Sequence, residues 1–216
     1  MTINKGFDIL GLRPLGRMSG LKRKIMDAGL AAFAASGYEG ASLSQIAKEV
    51  GIKKPSIYTH FASKEALYIT IVKEALKKQK RSIFNYFEKN KEKKLEEQLY
   101  GFLEWIALEI EQHPDVHFIY RITYFPPASL EREIFQLIDP FLNDLQRLLT
   151  RYIKRYAAKI QWELTEEPAT IALTYMTILD GSILELFFTG KKSYERRKKA
   201  SWVIFWKGVK GGTSIG

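Results

Sequence analysis

The sequence predicts an all-α protein, and three observations carry that expectation. Apolar residues recur at three- and four-residue spacing along most of the chain. No stretch alternates apolar and polar residues as a half-buried strand does. The interruptions are glycines, prolines and one short charged run. Apolar residues make up 46% of the 216, enough for a genuine core, so composition excludes a disordered chain. The length suits one large domain, or a small domain joined to a larger one.

Each element has its own signals. Leu21 to Ser36 carries apolar residues at 21, 25, 26, 30, 33 and 34, one face of an amphipathic helix that Gly37 should end. In Ser42-Leu43-Ser44-Gln45 the serine can accept the Gln45 backbone N–H while the glutamine reaches back, a capping box that starts a short helix closed by Gly51. A second short helix should begin near Pro55, since proline is tolerated in a first turn where its missing N–H has no partner. Ser63-Lys64-Glu65 caps a long helix running to about residue 87. Beyond the charged run at 89–94, periodic segments follow at about 95–112, 115–124, 130–159, 168–189 and 193–209, punctuated by Pro114, Pro126-Pro127, Pro168 and Gly190. Pro140 should start or bend part of the 130–159 segment. Residues 1–20 read as a flexible arm, with Met18 an alternative start, and 211–216 as a frayed tail.

Charge is unevenly placed. Residues 1–80 carry 14 Lys/Arg against 6 Asp/Glu, a surplus of +8, whereas 81–216 carry 20 against 18. A basic first third on a nearly neutral body points to a polyanionic partner, and a basic surface kept for solubility is the plainer alternative. The absence of cysteine excludes disulfides, cysteine-based zinc sites and thiol chemistry, and fits a reducing compartment. The most apolar region, Ile171 to Phe188, is interrupted by Asp180 and Glu185, so no membrane span is expected. No secretory leader is apparent, and a cytoplasmic location is the expectation.

Between Ser42 and Phe61 two short helices meet at Gly51. Small Ala47 allows a close crossing, Gly51 can take positive φ in the turn, and Ile57 fills the angle. This is helix-turn-helix spacing, although any tight αα-corner shares it. Around Ile57, the residues Lys53, Lys54, Pro55, Ser56, Tyr58, Thr59 and His60 largely face outward. They offer cations to phosphates, hydroxyls to phosphates or base edges, and small apolar groups to thymine methyls.

The run from Gly37 to Leu67, GYEGASLSQIAKEVGIKKPSIYTHFASKEAL, closely resembles the DNA-binding region of TetR-family transcriptional regulators. The resemblance rests on Gly37-Tyr38-Glu39, Ile46-Ala47, Gly51-Ile52, Lys54-Pro55-Ser56-Ile57-Tyr58, His60-Phe61 and Ser63-Lys64-Glu65-Ala66-Leu67, and covers residues 20–70 by motif. It implies an N-terminal three-helix helix-turn-helix domain over 21–67, joined by a linking helix to a larger helical effector-binding and dimerisation domain over 68–210. It also implies that Lys54, Pro55, Ser56, Tyr58, Thr59 and His60 form the recognition surface, with Ser42 and Ser44 at the start of the supporting helix. Lys64 would lie beside a phosphate, since a first-turn cation opposes the helix dipole and calls for a nearby anion. Lys53 departs from the family pattern. The family usually has Ser, Thr or Asn there as N-cap, and lysine has no acceptor oxygen, so a weaker cap and an added phosphate contact are expected.

The body resembles the family only in length and helical character. Its segment 168–189 is apolar nearly all round, and the last helix holds Trp202-Val203-Ile204-Phe205-Trp206, more aromatic surface than a monomer leaves wet. The resemblance assigns the last two helices to a four-helix homodimer interface, with Ile178, Ile183, Trp202, Phe205 and Trp206 as its candidates. Trp105, Phe118, Tyr120, Tyr124, Tyr175 and Phe187 are candidate pocket residues for an apolar or aromatic effector, and ordinary core packing explains aromatics at helical spacing equally. His113 and His117 lack a convincing third ligand, so no metal or other cofactor is expected. The run Lys191–Lys199 reads as a solvated helix start.

The leading function is a homodimeric regulator, expected to be a repressor, binding a palindromic double-stranded operator and released by a small effector. A non-specific DNA-binding protein is the alternative, and a more remote one is an enzyme using the helical-body cavity, for which no Ser/His/acid arrangement, phosphate-binding loop or metal cluster is recognisable.

Overall fold

The computed structural model describes residues 20–211. Apart from Gly20 and Gly211, the expected arm and tail lie outside the described residues. Among the described residues are nine α-helices and one 3-10 turn, with no strand. They are α1 (Gly20–Gly40), α2 (Leu43–Val50), α3 (Lys54–Tyr58), α4 (Lys64–Asn90), α5 (Leu95–Gln112), α6 (Pro114–Tyr124), α7 (Glu131–Lys159), α8 (Pro168–Thr189) and α9 (Lys191–Lys210), with the 3-10 turn at Ala128–Leu130. Pro140 sits within α7, which neither starts nor ends there. In α1 the backbone leaves helical geometry at Gly37, with φ 70° and ψ 176°, as that glycine's punctuation suggests.

The chain forms two compact units, one from the described residues of Met1–Ile83 with Ile110–Phe141, the other from Phe84–Glu109 with the described residues of Leu142–Gly216. The helices α4, α5 and α7 each contribute residues to both.

In the first unit α1 meets the side chains of α4 at Gly29. A Cβ at Gly29 would meet the Ile71 side chain at 2.9 Å, so only glycine allows this approach without displacing that side chain. Phe33, Tyr38, Tyr68 and Phe118 form an edge-to-face aromatic chain beside it, with Phe33–Tyr68 and Tyr38–Tyr68 centroids each 4.9 Å apart and Tyr68–Phe118 at 5.6 Å. This places α6 in the same unit as the first four helices. Three polar contacts reinforce it: Arg121 donates to the Ala34 carbonyl at 3.2 Å, Ser129 to the Glu39 carboxylate at 2.7 Å, and Lys78 pairs with Asp115 at 2.5 Å.

In the second unit α8 packs along α9 and buries Ile171, Ala172, Tyr175, Met176, Leu179, Ser182 and Ile183. The Tyr175 hydroxyl donates to the Leu99 carbonyl at 2.7 Å, and Tyr194 donates likewise to Leu103. By length and composition α8 is the one described helix that could cross a membrane. Only 39% of its apolar window is buried inside the chain, and Leu173 and Phe188 stay exposed.

Two expectations for this unit need correction. The run Lys191–Lys199 is not simply solvated, because Lys198 is only 1% exposed. Its ammonium lies 2.9 Å from Glu195 and 3.4 Å from Glu104, with the Tyr100 and Tyr194 rings 5.1 and 5.2 Å away. Nor does the aromatic content of 202–206 by itself demand a partner. Trp202, Phe205 and Trp206 are buried within the chain, as is Ile183, and Ile178 is half-buried. Trp202 stacks on Trp206 with centroids 5.4 Å apart and packs near Phe205 and Tyr100. The apolar side chains that α8 and α9 leave exposed are Leu173, Phe188, Val203 and Ile204, the last two at 63% and 73%.

Candidate nucleic-acid interface

The site begins with a turn that fixes two helix axes. Ser42 caps α2 and accepts the Gln45 N–H, while the Gln45 side chain accepts the Ser42 N–H at 3.0 Å, completing the capping box. At the other end Gly51 takes φ 76° and ψ 30°, the left-handed conformation that closes the helix at least cost in glycine. Its N–H and that of Ile52 return to the Lys48 and Ala47 carbonyls. Ile46, Ala47, Ile57 and Phe61 are buried beneath the corner, with Ile57 fully enclosed.

The next helix, α3, is a single turn and a half. Lys53 stands at its N-cap with no side-chain hydrogen bond, and Pro55 lies in the first turn. The capping oxygen that lysine lacks is therefore not replaced by a neighbour at that position. Ser56 donates its N–H to the Lys53 carbonyl at 2.8 Å, and the Thr59 hydroxyl closes onto the Ser56 carbonyl at 2.8 Å. Lys53, Lys54, Pro55 and Thr59 are exposed, Ser56 and His60 half-buried, and Tyr58 is 49% exposed beside the enclosed Ile57. Ser44 is exposed in the first turn of α2.

Three helices bring predicted residues together. A shallow, open cleft of about 550 Å³ is lined by Glu39, Ser42, Lys54, Tyr58, Ser63 and Lys64. Ser63 caps α4 by accepting the Ala66 N–H at 3.0 Å. The cleft thus combines two helix N-termini, two ammonium groups and a phenol against the one carboxylate of Glu39, a combination able to hold phosphate oxygens. Lys64 also has an intramolecular reason for its place in the first turn. Its ammonium sits 4.4 Å from the Tyr38 ring centre and 3.4 Å from the Glu39 carbonyl oxygen, which offset the opposing dipole without an external anion. Burial, with Glu65 and Glu39 nearby, raises the Tyr38 phenol above its ordinary range, so the ring beneath Lys64 stays neutral.

The candidate pocket aromatics divide between the units. Phe118, Tyr120 and Tyr124 belong to the first, Trp105, Tyr175 and Phe187 to the second. Phe118, Tyr120 and Tyr175 are buried, and Tyr175 commits its hydroxyl to the Leu99 carbonyl. Trp105, Tyr124 and Phe187 are half-buried, with Trp105 stacked on Phe102 at 5.4 Å. No group of three or more potential metal-ligating side chains occurs among the described residues. Sequence reasoning missed Tyr38, whose ring carries Lys64; its place after the helix-breaking Gly37 was a signal that it folds back over the next elements.

Comparison with known proteins agrees with this geometry. Residues 25–71 match the family profile described as bacterial regulatory proteins, tetR family. The biofilm operon icaADBC HTH-type negative transcriptional regulator IcaR of Staphylococcus aureus (strain Newman) is 30% identical over 153 residues, covering 68% of this chain and 75% of that protein. IcaR of Staphylococcus epidermidis is 39% identical over 67 residues, 31% of this chain and 32% of that one. Among solved structures, a TetR-family regulator from Agrobacterium tumefaciens superposes with a TM-score of 0.67 at 20% identity, covering 85% of this chain and 96% of its own. The transcriptional regulator FadR from Bacillus subtilis, in complex with stearoyl-CoA, gives 0.60 at 19% identity, covering 87% and 98%. At such identities the structures share the fold, while the IcaR alignment spans most of both chains. The chain belongs to the TetR family of bacterial transcriptional regulators.

Proposed function

We propose that the protein is a repressor that binds a palindromic operator as a homodimer and is released from it by a small apolar or aromatic effector. The observation that carries this reading is the convergence of Ser42, Lys54, Tyr58 and Lys64 on one open cleft while Ile57 and Phe61 hold the same segment from inside. In this reading Lys54, Tyr58, Thr59 and His60 meet the major groove, and Ser42, Ser44, Lys53 and Lys64 meet phosphates, with Pro55 and Ser56 completing the surface. Repression is supported by IcaR, whose name describes a negative regulator.

A homodimer is supported by the exposed Leu173, Phe188, Val203 and Ile204 on α8 and α9, an apolar set that a second copy would cover. An apolar effector is supported by FadR, which shares the fold and was solved with stearoyl-CoA. The half-buried Trp105, Tyr124 and Phe187 are the candidate aromatics with surface left to offer. Residues of α4 belong to both units, so this helix is a covalent route by which a ligand-dependent preference reaches the DNA-binding corner.

Selection of bound fragments from a random DNA pool tests the proposal. It should return an inverted repeat whose half-site centres lie about 34–36 Å apart, one helical turn. A pool that stays unenriched would reduce the protein to non-specific DNA binding.

A further inference from the structure

We infer that the C-terminal end of α9 carries a binding site for an aromatic carboxylate, walled by Tyr156, Trp162 and Trp206 and charged by Lys94 and Lys210. The site lies within the second unit and does not depend on the operator reading.

Its wall is set by an unusual turn. After α7 ends, Gln161 takes φ 53°, the single positive φ at a non-glycine among the described residues. The Trp162 N–H then donates to the Ala157 carbonyl at 2.9 Å, the closing bond of a Schellman-type cap. This holds Trp162 near edge-on to Trp206, with centroids 6.0 Å apart and planes at 65°, and to Tyr156, at 6.5 Å and 84°. Farther along, the Thr165 hydroxyl donates to the Gly208 carbonyl at 3.0 Å and ties the segment to the last turn of α9.

The result is a shallow, open cleft of about 440 Å³ lined by Tyr156, Ile160, Trp162 and Trp206 together with Lys94, Glu96 and Lys210. An adjoining cleft shares Glu96, Trp206 and Lys210 and adds Lys207. The volume falls within the range of small-molecule sites.

Charge and hydrogen bonding select the ligand class. Three lysines border the two clefts against the single carboxylate of Glu96, which lies 3.6 Å from Lys210. Lys94 and Lys207 have no carboxylate partner among the described residues. Aromatic walls alone would suit a cation, but this lysine surplus opposes one and favours an anion. Trp206 is 7% exposed, and its buried indole N–H meets no acceptor among the described residues, beside the wall common to both clefts. A planar ring against the aromatics, with a carboxylate towards the lysines, meets both the aromatic wall and the lysine surplus.

Isothermal titration of the full chain without DNA, using 2-naphthoate as probe, tests the site. The proposal expects a saturable site with a dissociation constant below about 1 mM that substitutions at Trp162 and Lys94 weaken. Neutral 2-naphthalenemethanol should bind about tenfold more weakly, as should the probe to Trp162→Ala. Lys94→Ala, at an exposed position, should weaken the probe about threefold to tenfold and leave the fold untouched. Trp162→Phe should retain most of the affinity and separates loss of the wall from loss of folding. Absence of saturable binding, equal affinity for the neutral probe, or affinity unaltered by both Lys94→Ala and Trp162→Ala would overturn the site. Because no DNA is present, none of these outcomes bears on operator binding.

Discussion

Ile57 and Tyr58 are neighbours in a five-residue helix, yet one is fully enclosed and the other 49% exposed, so truncating each should have opposite consequences. Ile57→Ala removes three carbons from a fully buried side chain, about 2.4 kcal/mol by transfer at about 0.8 kcal/mol per carbon. The cavity left behind raises the expected loss to about 3 kcal/mol, within the range of about 2–5 kcal/mol for such truncations. Ile57 is the one buried residue of α3, Lys53 supplies no side-chain cap, and the helix is too short to be stable alone. Tyr58→Ala should change stability by no more than about 0.5 kcal/mol, as surface substitutions generally do. The assay is urea denaturation followed by circular dichroism, with DNA binding measured on the folded variants. Ile57→Ala should lower the midpoint clearly, whereas Tyr58→Ala should keep the midpoint and lose operator affinity. Equal losses of stability, or an Ile57→Ala protein as stable as the parent, would refute the inside-outside assignment of this helix.

Other expectations follow from single contacts. Lys53→Ser restores a capping oxygen and should stabilise the protein by about 1 kcal/mol, while a phosphate role for Lys53 predicts a shallower salt dependence of DNA binding, by about one unit of slope. Lys198→Met should be neutral or stabilising by thermal denaturation: it keeps the buried stem and removes a buried charge, and Glu104 and Glu195, at 51% and 44% side-chain exposure, can resolvate. A fall of several kcal/mol would mean that the ion cluster holds the second unit together. Burial, and next to it the Arg121 charge, lowers the His117 pKa below its ordinary 6.5. The unfolded chain therefore takes up the proton first as pH falls, so the contribution of His117 is complete above about 6.5 and is lost progressively below it. His117→Gln should flatten that part of the stability–pH profile.

The helix-turn-helix was legible because its determinants are local. Ser42 and Gln45 cap across three residues, Gly51 closes two turns later, and Pro55 is admitted by its place in a first turn, so a short window of sequence contains the physics. Burial in the body is a tertiary matter. Lys198 sits among charged neighbours in sequence, and its burial depends on Glu104 and Tyr100, which α5 supplies from far along the chain. In 202–206 five consecutive apolar residues wrap most of the way around a helix, so some must point each way. Periodicity could not say that the aromatics turn inward and Val203 and Ile204 outward. The Gln161 turn gave no sign, because glutamine rarely adopts positive φ, and with it the position of Trp162 stayed hidden.

Whether the α3 surface binds the operator is read by fluorescence anisotropy of the selected operator with the parent protein and with Lys54→Ala/Tyr58→Ala, each over a range of salt concentrations. The parent should bind with affinity falling steeply as salt rises, since several phosphates are neutralised, and the double variant should fail to bind while melting near the parent temperature. Operator affinity unchanged in the folded double variant, or insensitive to salt in the parent, would contradict operator binding by the α3 surface.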